Sequence, residues 1–493
     1  MSAKRAARSK NLEADVVVIG GGGAGLAAAA AAAEEGARVI VLEKRGLGGT
    51  SAMAFGIFGA ESPTQKRLKI DCPRDACFRV AMDWTHWRIN PRIVRAFIDK
   101  SGDTIRWLEE KGVAFDCNQA GPGLSTFHLA EGRGAGITKA LAQSCRDRGV
   151  PLLIRTQAKK ILTGRKGNIT GVLAAATGEE FTIKTRSVII ATGGYGGNKE
   201  LLRKYCPQYH DGMERIGLAH TGDGLLMATA VGAATEGLGA LLLGMPSALH
   251  PPDLHVRADY PISIFTIGLI SIASDPRAIM VNKMGQRFTD EAAGLGTSNR
   301  MVQQPDNVCY TLWDSRMTGI LIAQGPFREA SSFAEEVPKS QLPGLEKDLR
   351  RIEAEKGLVR IFDTWDEMAG YIGCDRKALK ATIDEYNSFC DNGHDPIFAK
   401  DPKLLLPLRI PPYYAIKWGA SYLNTMGGIK INESTEVISQ QGNPIPGLYA
   451  AGVDTGGWES ETYCMRLPGH AFGFSINSGR IAGENAARFA LGK

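Results

Sequence analysis

The 493-residue sequence predicts an α/β fold built on a parallel sheet, and three observations predict it. A wholly apolar run, Val16 to Ile19, passes straight into Gly20-x-Gly22-x-x-Gly25 and an Ala-rich helical stretch. A second apolar run, Arg38-Val-Ile-Val-Leu42, ends on the acidic Glu43. Two more runs of the same kind, Ser187-Val-Ile-Ile-Ala191 and Gly447-Leu-Tyr-Ala-Ala451, also end in glycine turns. Short continuous apolar strands are what a sheet covered on both faces requires.

Taken in order, each element has a mechanical reason. Residues 1–12 are basic and lack an apolar core, so they read as a disordered tail and not as a secretion signal. Gly20 permits the tight turn, Gly22 lets a pyrophosphate approach the backbone, and Gly25 lets the helix pack on the strand. The helix reads from Leu26 to about Glu35, and N–H groups at its start, beside Gly23 and Ala24, hold phosphate oxygens. Glu43, about twenty positions on, can accept from ribose hydroxyls. The following Lys44 and the turn Gly48-Gly49-Thr50-Ser51, with Gly56 beyond it, offer backbone donors and small hydroxyls to a flat ring system. The strand ending in Ala191-Thr192-Gly193 and the strand ending in Gly452-Val-Asp454 return to the same place. Three separated segments converging on one ligand indicate FAD. A second glycine fingerprint for NAD is missing, because Gly193-Gly-Tyr-Gly-Gly197 has the wrong spacing.

Composition excludes other classes. With 44% hydrophobic and 22% charged residues the chain is an ordinary globular one, and a net charge of +6 over this length is a weak argument for nucleic acid or membrane. No apolar run approaches the ~18 residues that span a bilayer. Nine cysteines without a CxxC pair signal no zinc, iron–sulfur or haem site, so no metal is expected. Reduced thiols and a cytoplasmic location are the default.

The glycine segments, together with Gly132-Arg-Gly-Ala-Gly136, Thr221-Gly222-Asp223-Gly224, Asn424-Thr-Met-Gly-Gly428 and Arg466-Leu-Pro-Gly-His470, resemble the succinate dehydrogenase/fumarate reductase flavoprotein superfamily. The resemblance implies a Rossmann-like FAD-binding domain in two segments, 13–246 and 422–493, with an α+β cap or substrate domain at 247–421 inserted between them. It adds Ala158, Asp223, Asn424, Gly469 and Ser475 to the residues expected around the cofactor. Covalent members carry a His in the turn after the ribose carboxylate, where this chain has Leu47-Gly48-Gly49-Thr50, so the FAD is expected to be non-covalent. The cap region fits the charged helical stretches Lys347 to Glu355, Trp365 to Tyr371 and Arg376 to Phe389.

In that family a hydride equivalent passes between flavin N5 and the β-carbon of an electron-poor alkene, while cationic side chains hold the carboxylate and donate the proton. The resemblance assigns Arg466 to the carboxylate grip and His250 to substrate contact. The family's proton-donating Arg falls, counted without gaps, on Leu295, and Arg300 takes the role if the loop is longer here. Elsewhere the second carboxylate clamp is lost: Ile270-Ser271 replaces Thr-Glu, and Leu423 stands where a second substrate His is expected. A dianion would leave one charge unpaired in a closed site. The substrate is therefore expected to carry at most one carboxylate, or only a ketone, against an apolar wall of Phe265, Leu423, Trp458 and Tyr463. The expected activity is ene-reduction of an α,β-unsaturated acid or enone, not of fumarate. Desaturation of a ketone, as by 3-ketosteroid dehydrogenases with Tyr463, Tyr422 or Tyr195 as base, is the alternative. A flavoprotein subunit needing a partner for turnover is the third reading. In each case electrons pass through a separate carrier.

Overall fold

The computed structural model describes residues 12–119, 126–165, 167–244, 247–248, 269, 272–293, 296–327, 341–356 and 359–493. The chain forms two compact units. The first takes the chain up to Pro207, then Gly217–Leu242 and Leu423–Lys493, and the second takes Gln208–Ile216 and Leu243–Tyr422. Both are mixed α/β structures.

At the centre of the first unit is a six-stranded sheet. Its strands are β1 (Val16–Ile19), β2 (Val39–Glu43), β3 (Leu152–Ile154), β4 (Ser187–Ile190), β5 (Glu436–Ile438) and β6 (Pro444–Ala450). They lie in the order β5-β6-β4-β1-β2-β3. All neighbours are parallel except the β5–β6 pair. Every residue of β1 and β4 is buried, which explains why, Ser187 apart, they are built of Val and Ile. The sheet therefore joins segments from both ends of the chain: Val188 pairs with Val17 on one side and with Leu448 on the other.

Helices cover this sheet. Helix α1 (Gly23–Glu34) lies against α4 (His470–Leu491), and its alanines are buried. The two backbones touch: a Cβ on Gly479 would sit 2.2 Å from the Ala24 carbonyl oxygen, and one on Gly483 would sit 2.2 Å from that of Ala28. Alanine on one helix and glycine on the other are thus a single packing solution. Helix α2 (Pro91–Glu109) is amphipathic, capped by Asn90 and burying Ile93, Phe97, Ile98 and Ile105. Helix α3 (Arg133–Asp147) starts at Gly132. A four-stranded sheet, Leu12–Glu13, Glu179–Lys184, Ile169–Ala176 and Thr156–Thr163, completes the unit. Leu12, placed in the tail by the sequence reading, pairs with Ile183.

The second unit is built on an antiparallel sheet in which Tyr413–Gly419 pairs with both Val308–Asp314 and Val359–Phe362. Helices Trp365–Ile372 and Arg376–Asn392 pack near it around Ile279, Leu312, Met368 and Tyr386. Four charges are buried beside this core. Glu291 accepts from Arg287 and from Lys400, and Arg287 also reaches Asp395. Burial pushes the Glu291 carboxyl up, and the Lys400 and Arg287 charges more than offset it, so the group stays below its ordinary value.

Candidate active site

A cavity opens at the ends of β1, β2 and β4, lined by residues of the first unit. It lies where the strand order reverses between β1 and β4, the usual position of a ligand crevice in such sheets.

One end of the cavity is formed by the first turn of α1. Gly22 is extended (φ −80°, ψ −172°), no side chain caps the helix, and no acidic residue lies in its first turn. These amides are therefore open to phosphate oxygens. Gly22 bridges to Gly48, and Gly23, Ala24, Gly49, Thr50 and Ser51 line the cavity beside it. Gly20 has φ +113°, and a Cβ there would lie 2.1 Å from the Ala191 carbonyl oxygen, so only glycine fits.

Glu43, at the end of β2, also lines the cavity. Its Oε2 accepts from the Gly21 amide at 2.8 Å and its Oε1 from the Arg45 amide at 2.6 Å. Both oxygens keep lone pairs for sugar hydroxyls. Next to it Lys44 donates to Asp223 at 2.8 Å and to Thr221 at 2.6 Å. Burial raises the Asp223 carboxyl, but the hydrogen bonds from Lys44 and Thr221 outweigh it and hold the group below its ordinary value. Ala158, Ala191, Thr192, Gly193, Asn424, Gly452 and Ser475 reach the same cavity.

Four of the expected cofactor residues do not line it. Gly25 is a packing residue, since a Cβ there would lie 1.9 Å from the Gly20 carbonyl oxygen. Gly56 is pressed against the His128 carbonyl, and Gly469 is the left-handed N-cap of α4, pressed against Phe58. Asp454 is 1% exposed and accepts from the amides of Thr192, Gly193 and Gly194. Burial raises its carboxyl, and its role is to fasten the turn after β4 to the C-terminal segment.

Sequence reasoning missed Gln157 and the Leu218–His220 stretch, which also line the cavity. His220 Nε2 is 2.8 Å from the Thr50 hydroxyl, and its ring lies over Gly193. Its position directly before Thr221-Gly222-Asp223 was the available signal.

The expected catalytic residues separate. Arg466 is exposed, and among the described residues its side chain makes no hydrogen bond or ion pair. Tyr463 serves as a helix cap: its hydroxyl accepts from the Ala471 amide at 3.3 Å, where Gly469 offers no side chain. Burial pushes its phenol up, opposite to the lowered value a base requires. Tyr195 is fully buried and likewise raised, and Tyr422 is 3% exposed. Trp458 is not a site wall: it is fully buried, stacked on Phe474 at 4.5 Å. Leu423 does line the cavity. In the second unit Arg300 donates to the Phe288 carbonyl at 3.2 Å and to Gln303 at 2.8 Å. His250, Phe265, Ile270, Ser271 and Leu295 lie outside the described residues. In the aromatic stretch 84–87, Trp87 is 57% exposed.

The family described as "FAD binding domain" matches residues 15–462. The chain is similar to vinyl phenol reductase of Lactiplantibacillus plantarum, 32% identical, with 98% of each chain covered. It is also similar to NADH:fumarate oxidoreductase of Klebsiella pneumoniae, 28% identical, and spans 97% of its own length but 48% of that protein. Among solved structures, the open conformation of a flavocytochrome c3 fumarate reductase superposes with a TM-score of 0.72 at 26% identity, covering 99% of this chain and 80% of that one. With a crevice at the end of its parallel sheet and a family match over most of its length, the chain belongs to the FAD-binding oxidoreductases of the succinate dehydrogenase/fumarate reductase flavoprotein superfamily.

Proposed function

We propose that the protein reduces a conjugated alkene that carries a single oxygen terminus: an α,β-unsaturated acid, an enone or, as the similarity to vinyl phenol reductase favours, an alkenyl phenol. FAD, held non-covalently by the residues from Gly20 to Ser475 described above, supplies two-electron chemistry at N5 when bound. The chain's own contribution is to bind, orient and polarise. Arg466, exposed at the chain's surface, offers its guanidinium fork to a carboxylate, enolate or phenolate oxygen, and holds the negative charge that develops as the β-carbon is reduced. The first unit acts as the FAD-binding domain and the second as the cap. Electrons arrive from a separate carrier.

The observation that carries this reading is Leu423 in the cavity wall, where the resembling enzymes place a second cationic contact. An apolar side chain there leaves a second carboxylate without a partner, which is costly in a site closed to water. Fumarate is therefore a poor substrate. The buried, raised phenol of Tyr463 works against desaturation with that residue as base.

The test is anaerobic. Dithionite-reduced protein mixed with a panel of enoates, enones and alkenyl phenols should regain its yellow colour with one of these classes and not with fumarate. Arg466→Ala should keep its flavin spectrum and lose at least ~100-fold in kcat/KM, the size typical for a lost charge-stabilising donor. Fast reoxidation by fumarate, or full activity of the Ala variant, would overturn the assignment.

A further inference from the structure

Two thiols that the reaction does not use lie against each other in the first unit. Cys72 and Cys77 are 2% and 0% exposed, and their sulfurs are 3.3 Å apart. The contact has a local cause. Helix Arg74–Trp84 has Pro73 at its N-cap, so Cys72 stands one residue ahead of the cap and Cys77 at the fourth helical position. Those two positions meet across a helix start, ordinarily through apolar side chains. Here both are thiols.

Apolar packing does not account for the surroundings of Cys72. The Thr126 hydroxyl donates to its sulfur at 3.7 Å. The Gln65 side-chain amide donates to the Thr126 oxygen at 2.8 Å, which leaves the hydroxyl proton for the sulfur. Gln65 and Thr126 are themselves fully buried. Hydrogen bonds from Cys77 and Thr126 hold the Cys72 thiol below its ordinary value against the effect of burial, whereas the contact with Cys72 and burial push the Cys77 thiol up. An activated thiol touching a protonated one is the arrangement in which an oxidised first sulfur is captured by the second. The pair also lies just beneath the surface, since Asp71 and Asp75 on the same segment are exposed.

We propose that Cys72 and Cys77 are a modification site, a dithiol that a peroxide converts reversibly to a disulfide. The Cys72 thiolate attacks one oxygen of hydrogen peroxide, the O–O bond breaks, and the departing hydroxide takes up the thiol proton as water. Cys72 is then a sulfenic acid. The Cys77 sulfur attacks the Cys72 sulfur, the S–O bond breaks, and the hydroxyl leaves with the Cys77 proton as a second water. Two thiols thereby lose two electrons to one peroxide, and a dithiol reductant returns them. The bridge holds the first turn of Arg74–Trp84 covalently. None of this depends on the identity of the alkene.

Trypsin separates the two residues, because it cuts after Lys69, Arg74 and Arg79 and leaves Cys72 in Ile70–Arg74 and Cys77 in Asp75–Arg79. Holoprotein treated with hydrogen peroxide, then denatured, alkylated and digested without reductant, should yield these two peptides joined. Dithiothreitol before alkylation should part them. In Cys77→Ala the reaction should stop at a Cys72 sulfenic acid that dimedone labels, and in Cys72→Ala the label on Cys77 should be about 10-fold weaker, as its higher thiol pKa requires. Amides of 77–80 should exchange about 10-fold more slowly in the bridged protein than in the reduced one, as a closed opening route demands. Full alkylation of both peptides after peroxide would overturn the site. So would a bridge from Cys72 to Cys117 or from Cys77 to Cys464, the thiols whose charges bear on this pair. Equal dimedone labelling in the two variants would overturn the order of attack, and equal exchange in the two forms would overturn the hold on the helix start.

Discussion

His128 shows how one side chain couples burial to pH. It is fully buried against Phe115, its Nε2 is 2.7 Å from the Ser62 hydroxyl, and its Nδ1 has no hydrogen-bond partner among the described residues. Burial pushes its pKa down to about 4. The native protein thus refuses a proton that the unfolded chain accepts below about 6.5. The stability tied to the neutral ring is intact above pH 6.5 and is lost as pH falls towards 4, up to about 3 kcal/mol in all. His128→Asn should flatten the acid limb of a urea-midpoint-versus-pH curve between those values. A limb of unchanged steepness would place the proton uptake elsewhere. Residues also mark the limit of the sequence reading. The Gly20, Gly22 and Gly25 spacing was legible because strand, turn and helix follow one another directly in the chain. Gln157 was not, because its place is fixed by a chain path that no local pattern records, and His220 was marked only by its neighbours Thr221-Gly222-Asp223. Trp458 and Tyr463 misled for the related reason that an aromatic near a site has the same sequence signature whether it lines the cavity, fills the core or caps a helix.

At the scale of elements, the contact between α1 and α4 controls the site. Gly479 and Gly483 let α4 lie on the Ala24 and Ala28 carbonyls, and α4 brings Ala471 and Ser475 to the cavity. Gly483→Val should cost about 1–3 kcal/mol, the usual range for overpacking, and should lower the FAD content of purified protein. Gly319→Ala is the control, since a Cβ there meets nothing within 4 Å in the helix Ser315–Gln324. It should be neutral or stabilising by up to about 1 kcal/mol. Urea titrations of both variants decide the matter, and equal midpoints would remove the close approach from the account. Alanine and glycine runs are readable as helix and turn, but that two such runs face each other across more than four hundred residues is information only the fold contains.

For the whole molecule, the cavity predicts linkage between cofactor and folding. Stripping FAD should lower the unfolding temperature, and adding it back at a hundredfold excess over Kd should restore about 2.7 kcal/mol. A scan that does not respond to FAD would disqualify the cavity as its site. The α/β class and the parallel strands were visible in the apolar runs. The partition of the chain into two units was less so, because Gln208–Ile216 leaves the first unit as a short excursion with no change in composition.

The pairing of β4 with both β1 and β6 also bears on how the protein is made. A nascent chain emerging from the ribosome presents the glycine turn and Glu43 some four hundred residues before the Asp454 tether and the wall at Ser475. Retention of the nucleotide is thereby postponed until those segments have emerged, and a ribosome stalled before residue 444 should display a chain that cannot retain flavin.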